Sequence, residues 1–116
     1  MRRVCLHCAL ARAVRAELPA LEARSLRVTA SHCPPVWLPI AGARVYRRLR
    51  RLLAEAGALT ERGAIKLAVL DLVGKSHVEV TAAVAVGRGT RVLRLAFPRH
   101  AAGTLGGGFA EGIGTG

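Results

Sequence analysis

The chain has 116 residues, 52% hydrophobic and only 3% aromatic, and a net charge of +11. This length suits one domain with a modest aliphatic core, and the shortage of aromatic residues argues against a stacking platform for single-stranded nucleic acid. The positive charge attracts nucleic acid, acidic proteins or anionic membranes, although the codon usage of a GC-rich genome also produces arginine-rich chains.

The first half of the chain predicts two helices separated by a strand. Residues 4–23 repeat apolar side chains at spacings of three and four, as a helix does, and residues 25–30 alternate like a half-buried strand. Residues 33–39 form a proline-stiffened, extended connection. A second helix follows over residues 43–57, and Gly57 is predicted to end it.

The second half predicts three strands joined by glycine-containing turns, over residues 63–73, 77–86 and 90–98. Consecutive strands with tight turns favour an antiparallel meander. The predicted fold is therefore a two-layer α/β (α+β) sandwich, with both helices on one face of a mixed, mostly antiparallel sheet. Residues 1–99 form the predicted domain, and residues 100–116 a flexible glycine-rich tail.

The N-terminus resembles a signal peptide only faintly. His7, Arg12 and Arg15 interrupt its apolar run too early, and no apolar stretch in the chain approaches the ~20 residues that cross a bilayer. We therefore expect a cytoplasmic protein with reduced thiols and no membrane partner.

The second predicted helix has two distinct faces. One is apolar, with Val45, Leu49, Leu52, Leu53 and Ala56. The other carries Arg44, Arg47, Arg48 and Arg51, which we call the arginine face, together with Glu55. Like charges at these spacings repel each other. The face is either an ordinary solvated surface or a binding surface for carboxylates or phosphates, which guanidinium groups suit.

The segment around this helix resembles a known family. Residues 44–60, RVYRRLRRLLAEAGALT, are similar to the N-box helix of histidine-kinase ATP-binding domains, the GHKL or Bergerat fold. Residues 10–28 resemble that family's first helix and strand, and residues 34–37 the segment leading into the N-box. Downstream, residues 65–69 and 78–86 resemble its central strands and residues 89–99 its closing strand. The segments span residues 4–99 in the family's order.

The departures from the family concern its nucleotide site. Arg51 and Glu55 stand where the family has two asparagines, the second being the usual Mg²⁺ ligand. No aspartate follows Val84 to supply the adenine-binding box, and only residues 87–89 occupy the place of the ATP lid. Adenine recognition needs a buried carboxylate, and Mg²⁺-triphosphate needs oxygen ligands and backbone donors. We therefore expect no ATP or Mg²⁺ and no kinase activity, with Glu55 the one residual candidate.

Cys5, His7 and Cys8, with His32 and Cys33 further on, raise the alternative of a zinc site. Their spacing matches no familiar zinc finger, and a buried cysteine commonly behaves as a small apolar residue. The sequence alone therefore predicts no bound metal.

Other candidate residues do not combine into a catalytic group. His77 and His100 have no nucleophile and acidic partner close in sequence, and Asp71 and Glu79 are single carboxylates. Trp37 is predicted to fill the core beneath the sheet.

The first functional hypothesis is a non-catalytic, regulatory module in two-component-type signalling. Its arginine face would bind an acidic partner such as a response regulator or a kinase. The alternatives are a basic nucleic-acid-binding module and residual ATP and Mg²⁺ binding near Glu55. An uncovered strand edge also makes a homodimer a candidate assembly.

Overall fold

The structure is a computed structural model that describes residues 3–31, 35–72 and 74–100. Two helices and six strands follow one another in these ranges. They are β1 (Val4–Cys5), α1 (Leu6–Glu22), β2 (Leu26–Ala30), β3 (Trp37–Leu38), α2 (Gly42–Leu59), β4 (Gly63–Leu70), β5 (His77–Val86) and β6 (Gly89–Pro98).

The main sheet has four strands in the order β2-β4-β5-β6. Strand β2 pairs with β4 in parallel, from Leu26 opposite Gly63 to Ala30 opposite Leu67. Strands β4, β5 and β6 pair antiparallel as the predicted meander. The mixed, mostly antiparallel sheet that the sequence predicts is therefore confirmed.

Both helices cover the same face of this sheet. Helix α1 packs on β2 and on α2, and α2 packs on β4, β5 and β6. Alternate residues of β5 are buried beneath them, as the period of a strand requires. The apolar face of α2 is also buried, with Val45, Leu49, Leu52, Leu53 and Ala56 all at 5% exposure or less. The two-layer α+β sandwich is confirmed.

The short strands β1 and β3 correct the sequence prediction at two points. They pair antiparallel, Val4 opposite Leu38 and Cys5 opposite Trp37, so α1 begins at Leu6 rather than at residue 4. The side chain of Trp37 lies on the outward side of β3 and is 56% exposed. The prediction that Trp37 fills the core was wrong, and the smaller neighbours Val36 and Leu38 are buried in its place.

Helix α2 also runs past its predicted end. It continues to Leu59, and Gly57 is buried within it. A β-carbon at Gly57 would lie 2.7 Å from Cδ2 of Leu21, so this glycine allows α1 and α2 to approach closely rather than ending the helix.

Two further expectations concern the glycine-rich tail and the membrane. Of the predicted tail over residues 100–116, residues 101–116 lie outside the described residues. Within the described ranges, neither helix is long and apolar enough to cross a membrane.

Candidate interaction surface on α2

The arginine face lies on the side of α2 from which Arg48 contacts Phe97 of β6. Because the apolar side of this helix is fixed against the sheet, the residues about 100° away in the helical projection point towards solvent. Arg44, Arg47 and Arg51 are exposed. Arg48 is only partly exposed, because it is nearest to the edge of the core.

Arg48 lies against the core rather than fully in solvent. Its Cζ atom is 5.5 Å from the centroid of the buried Phe97 ring, a distance suited to a cation–π contact. Its Nη2 atom is buried and has no hydrogen-bond partner among the residues that the structure describes. Burial, and then the charge of Arg44, lower the pKa of Arg48. The face therefore includes a partly desolvated cation with unused donor capacity.

The charges of the arginine face are poorly balanced. In the described ranges, no carboxylate oxygen lies within 4.0 Å of the guanidinium of Arg44, Arg47 or Arg48. An isolated helix with this arrangement loses a few tenths of a kcal/mol for each repelling pair. A surface with such charges is suited to an anionic partner.

Arg50 belongs to a separate cluster that the periodicity of α2 does not predict. It forms an ion pair of 2.8 Å with Glu17 of α1, and the bond to Glu17 raises the pKa of Arg50. The guanidinium groups of Arg12 and Arg50 also lie 5.2 and 5.6 Å from the centroid of the Tyr46 ring. The cluster joins the outer surfaces of the two helices. The four-residue spacing of Tyr46 and Arg50 was the one signal for it in the sequence.

Glu55, the residual Mg²⁺ candidate, lies one turn from Arg51 and pairs with it at 3.8 Å. Both side chains are well exposed, at 61% and 78%. Mg²⁺ prefers several oxygen ligands in near-octahedral geometry, and here a single carboxylate faces a guanidinium. The residues at this position do not fit a Mg²⁺-triphosphate group.

The connection between β5 and β6 is as short in the structure as the sequence predicts. Val86 pairs directly with Gly89, so only Gly87 and Arg88 form the turn. Gly87 has a φ of 61°, which glycine adopts with little strain. This hairpin takes the place that the resemblance assigns to an ATP lid and its glycine box.

The remaining candidate residues lie elsewhere in the fold. His77 begins β5, where its Nδ1 is 2.8 Å from Oγ of Ser76. Asp71 pairs with Arg99, and Glu79 pairs with Arg94 across the sheet at 3.6 Å. An open depression of about 410 Å³ is lined by Gly74, Lys75, Ser76, Arg99 and His100. None of these side chains contributes to the arginine face.

The proposed zinc ligands fall into two groups. Cys5 and Cys8 lie at the start of α1, the first buried and the second exposed. A hydrogen bond with Cys5, then burial and then the charge of Cys5 raise the pKa of the Cys8 thiol. His32 and Cys33 lie outside the described residues.

This order of elements and the packing of two helices on one face of a four-stranded mixed sheet resemble the fold of histidine-kinase catalytic domains. The resemblance seen in the sequence is confirmed at the level of the fold.

Two solved structures show this likeness. The catalytic domain of histidine kinase ThkA, in a nucleotide-free form, superposes with a TM-score of 0.59 at 14% identity, covering 75% of this chain and 60% of that one. The histidine kinase AdeS of Acinetobacter baumannii superposes with a TM-score of 0.58 at 14% identity, covering 71% of this chain and 40% of that one. The chain thus spans about half the length of these structures. No family model matches the sequence, and no curated protein matches it significantly.

Proposed function

We propose that this chain is a non-catalytic module with the histidine-kinase catalytic fold, and that its arginine face binds an acidic protein surface. The partner class is a response regulator or a kinase of two-component-type signalling. Likeness of fold alone is a weak warrant for function. The proposal therefore depends on the chemistry of α2.

The main support is Arg48. A partly buried guanidinium with an unpaired donor reduces the stability of the isolated domain, and Arg44 one turn away adds repulsion. A carboxylate placed between the exposed edges of the Arg44 and Arg48 guanidinium groups would offset both charges. Charge-assisted bonds of this kind are about twice as strong as neutral ones.

The absence of kinase chemistry is part of the proposal. By the sequence resemblance, Arg51 and Glu55 stand where the family has two asparagines, the second being the usual Mg²⁺ ligand. Here they form an ion pair, and a two-residue turn joins β5 to β6. In this chain, the phosphates of ATP would have to be bound by arginine side chains alone. The Mg²⁺ ion and the backbone N–H donors that normally hold phosphates have no counterpart at these positions. We propose that neither ATP nor Mg²⁺ is a cofactor of this chain.

Nucleic-acid binding through the same face is the second candidate, and the net charge of +11 favours it. Two aromatic side chains need to be considered: Trp37 is exposed but lies on β3, and Tyr46 lies on α2 but its ring is in contact with Arg12 and Arg50 rather than with the arginine face. Base stacking alongside the arginines therefore has no support, so the protein partner is preferred.

The proposal is tested with two variants that lose equal charge. One replaces Arg44, Arg47, Arg48 and Arg51 by Gln. The control replaces Arg15, Arg62, Arg88 and Arg91, which are exposed elsewhere, by Gln. Purified receiver domains and kinase dimerisation domains from the same organism serve as probes. We expect the first variant to lose about tenfold or more in affinity, roughly 1.4 kcal/mol, and the control to change far less.

Equal losses in the two variants would contradict a specific arginine face. Preferential binding to duplex DNA, with affinity falling steeply as NaCl increases, would support the nucleic-acid alternative instead. Measurable binding of ATP and Mg²⁺ by calorimetry would overturn the non-catalytic assignment.

A further inference from the structure

The start of α1 brings together three side chains that all bind soft and borderline metals. The ligand atoms of Cys5, His7 and Cys8 lie within 4.8 Å of one another. Sγ of Cys5 is 3.0 Å from Nδ1 of His7 and 3.3 Å from its Nε2. The spacing in the sequence matches no familiar finger, but in the folded chain these residues form a compact group.

Backbone geometry explains this convergence. Cys5 is the N-cap residue of α1 and has extended dihedral angles, φ −77° and ψ 115°. The side chain of an N-cap residue points towards the third residue of its helix, as in a capping box. That third residue is Cys8, and His7 precedes it. The fold therefore directs both thiols and the imidazole towards the same end of the helix.

One ligand of the group is held firmly and two are accessible. Cys5 is 7% exposed and is fixed by its pairing with Trp37 in the β1–β3 ladder. The amide of Leu6 donates to the carbonyl of Val36 at 2.8 Å, and Leu6 itself is fully buried. His7 and Cys8 are exposed, so they are free to adjust around an ion that arrives from solvent.

The separations suit a tetrahedral ion. Zn–S bonds of about 2.3 Å and Zn–N bonds of about 2.0–2.1 Å place neighbouring ligand atoms about 3.5–3.8 Å apart. The atoms of this group need to move by only about an ångström to reach that geometry. Two thiolates also neutralise a divalent cation, which removes the repulsion expected from a chain of charge +11.

We propose that Cys5, His7 and Cys8 form a zinc-binding site with three protein ligands and an open fourth position. Thiolate and imidazole ligands select Zn²⁺ over Mg²⁺ or Ca²⁺. Sites with three protein ligands leave one position for water or for a ligand from another molecule. The site lies at the start of α1 and is independent of the arginine face, and it reverses the expectation of no metal that came from spacing alone.

Cobalt substitution tests the site directly. The full chain is prepared without a polyhistidine tag, in a non-thiol reductant, and titrated with Co²⁺ while absorption is recorded. We expect thiolate-to-cobalt charge-transfer bands and visible d–d bands that saturate at one ion per chain. Added Zn²⁺ should then abolish these bands by displacement.

Variants assign the ligands. Cys8→Ser and His7→Ala change exposed residues and should lower the affinity for Zn²⁺ roughly 100-fold or more, since even outer-shell changes cost 10–100-fold. Cys5→Ser tests the buried ligand, with circular dichroism as a check of folding. Cys33→Ser and His77→Gln are the matched controls and should bind as the unchanged chain does.

Three results would overturn the proposal. One is the absence of charge-transfer bands in the unchanged chain. Another is a spectrum that survives Cys8→Ser but is lost with Cys33→Ser. The third is a mass spectrum, recorded after the chain is exposed to air in the presence of Zn²⁺, showing that dioxygen oxidises Cys5 and Cys8 to a disulfide in preference to their binding Zn²⁺, which would make the pair a redox centre.

Discussion

Arg48 places a positive charge at the edge of the apolar core, beside Phe97 and one helical turn from Arg44. The cation–π contact stabilises it by about 0.5–1 kcal/mol. The buried Nη2 atom without a partner among the described residues opposes this with about 1–3 kcal/mol. The second effect is the larger one, so the charge reduces the stability of the free domain.

We therefore predict that Arg48→Met raises the free energy of unfolding by about 1 kcal/mol, while it weakens partner binding. Methionine keeps the apolar stem over Phe97 and removes the unpaired donor. Arg47→Met, at an exposed neighbouring position, should change stability by less than about 0.5 kcal/mol. Urea unfolding of both variants measures the difference. A clear loss of stability in Arg48→Met would show that the ring contact dominates.

The sequence predicted which side of α2 is basic but not how its arginines differ. A 100° period separates Arg44 and Arg48 from the buried Leu49 and Leu53, and the structure agrees. The environment of Arg48 depends on Phe97 in β6, and the environment of Arg50 depends on Glu17 in α1. Both contacts join residues more than thirty positions apart, which helical periodicity cannot relate.

The packing of the two helices depends on Gly57. In an ordinary exposed helix, replacement of Gly by Ala is stabilising by about 1 kcal/mol. At Gly57 the added methyl group would overlap Leu21, which is only 4% exposed and has little room to move. Overpacking of this kind costs about 1–3 kcal/mol.

We predict that Gly57→Ala lowers the free energy of unfolding by about 1 kcal/mol, the overpacking cost less the gain in helix propensity. Gly42→Ala is the control, because its β-carbon would lie at ordinary contact distance, 3.4 Å from Cγ2 of Val4. It should be neutral or slightly stabilising. Thermal and urea unfolding compare the two. A stabilised Gly57→Ala variant would mean that α1 shifts away at little cost.

Long, strongly periodic elements were predictable, and short ones were not. Strand β5 matches its predicted limits, residues 77–86, because burial alternates without interruption over its first eight residues. Strands β1 and β3 contain two residues each, too few for any period. Because these strands gave no periodic signal, the prediction that Trp37 is buried depended on its size alone. In the structure, the β1–β3 pairing directs Val36 and Leu38 into the core instead.

At the scale of the molecule, the fold was predicted from the order of the segments that resemble the kinase family, although no single segment was specific to that family. Individually the segments are ordinary amphipathic helices and strands. Their succession along the chain restricts the topology, since parallel pairing of β2 with β4 requires a crossover through α2. The metal-ligand group was not predictable in this way, because it depends on an N-cap conformation that the β1–β3 pairing sets.

The net charge of +11 acts on the whole molecule. The described residues form four ion pairs, and both side chains of the Arg51–Glu55 pair are largely exposed. Self-repulsion therefore exceeds local attraction, and salt should relieve it. Raising NaCl from about 0.05 to 0.5 M shortens the screening length from about 14 to 4 Å.

We predict that this change in salt raises the midpoint of thermal unfolding by about 4 °C or more, equivalent to about 1 kcal/mol. The Gln variant of the arginine face carries four fewer charges and should gain less. Scanning calorimetry across the salt series gives both values, and partner affinity is measured in the same buffers. Salt should stabilise the fold but weaken the complex with the partner. If binding is lost at high salt, unfolding is therefore not the cause. A midpoint that falls with salt would instead mean that the ion pairs, with Glu17–Arg50 the best placed, outweigh the repulsion among the remaining arginines.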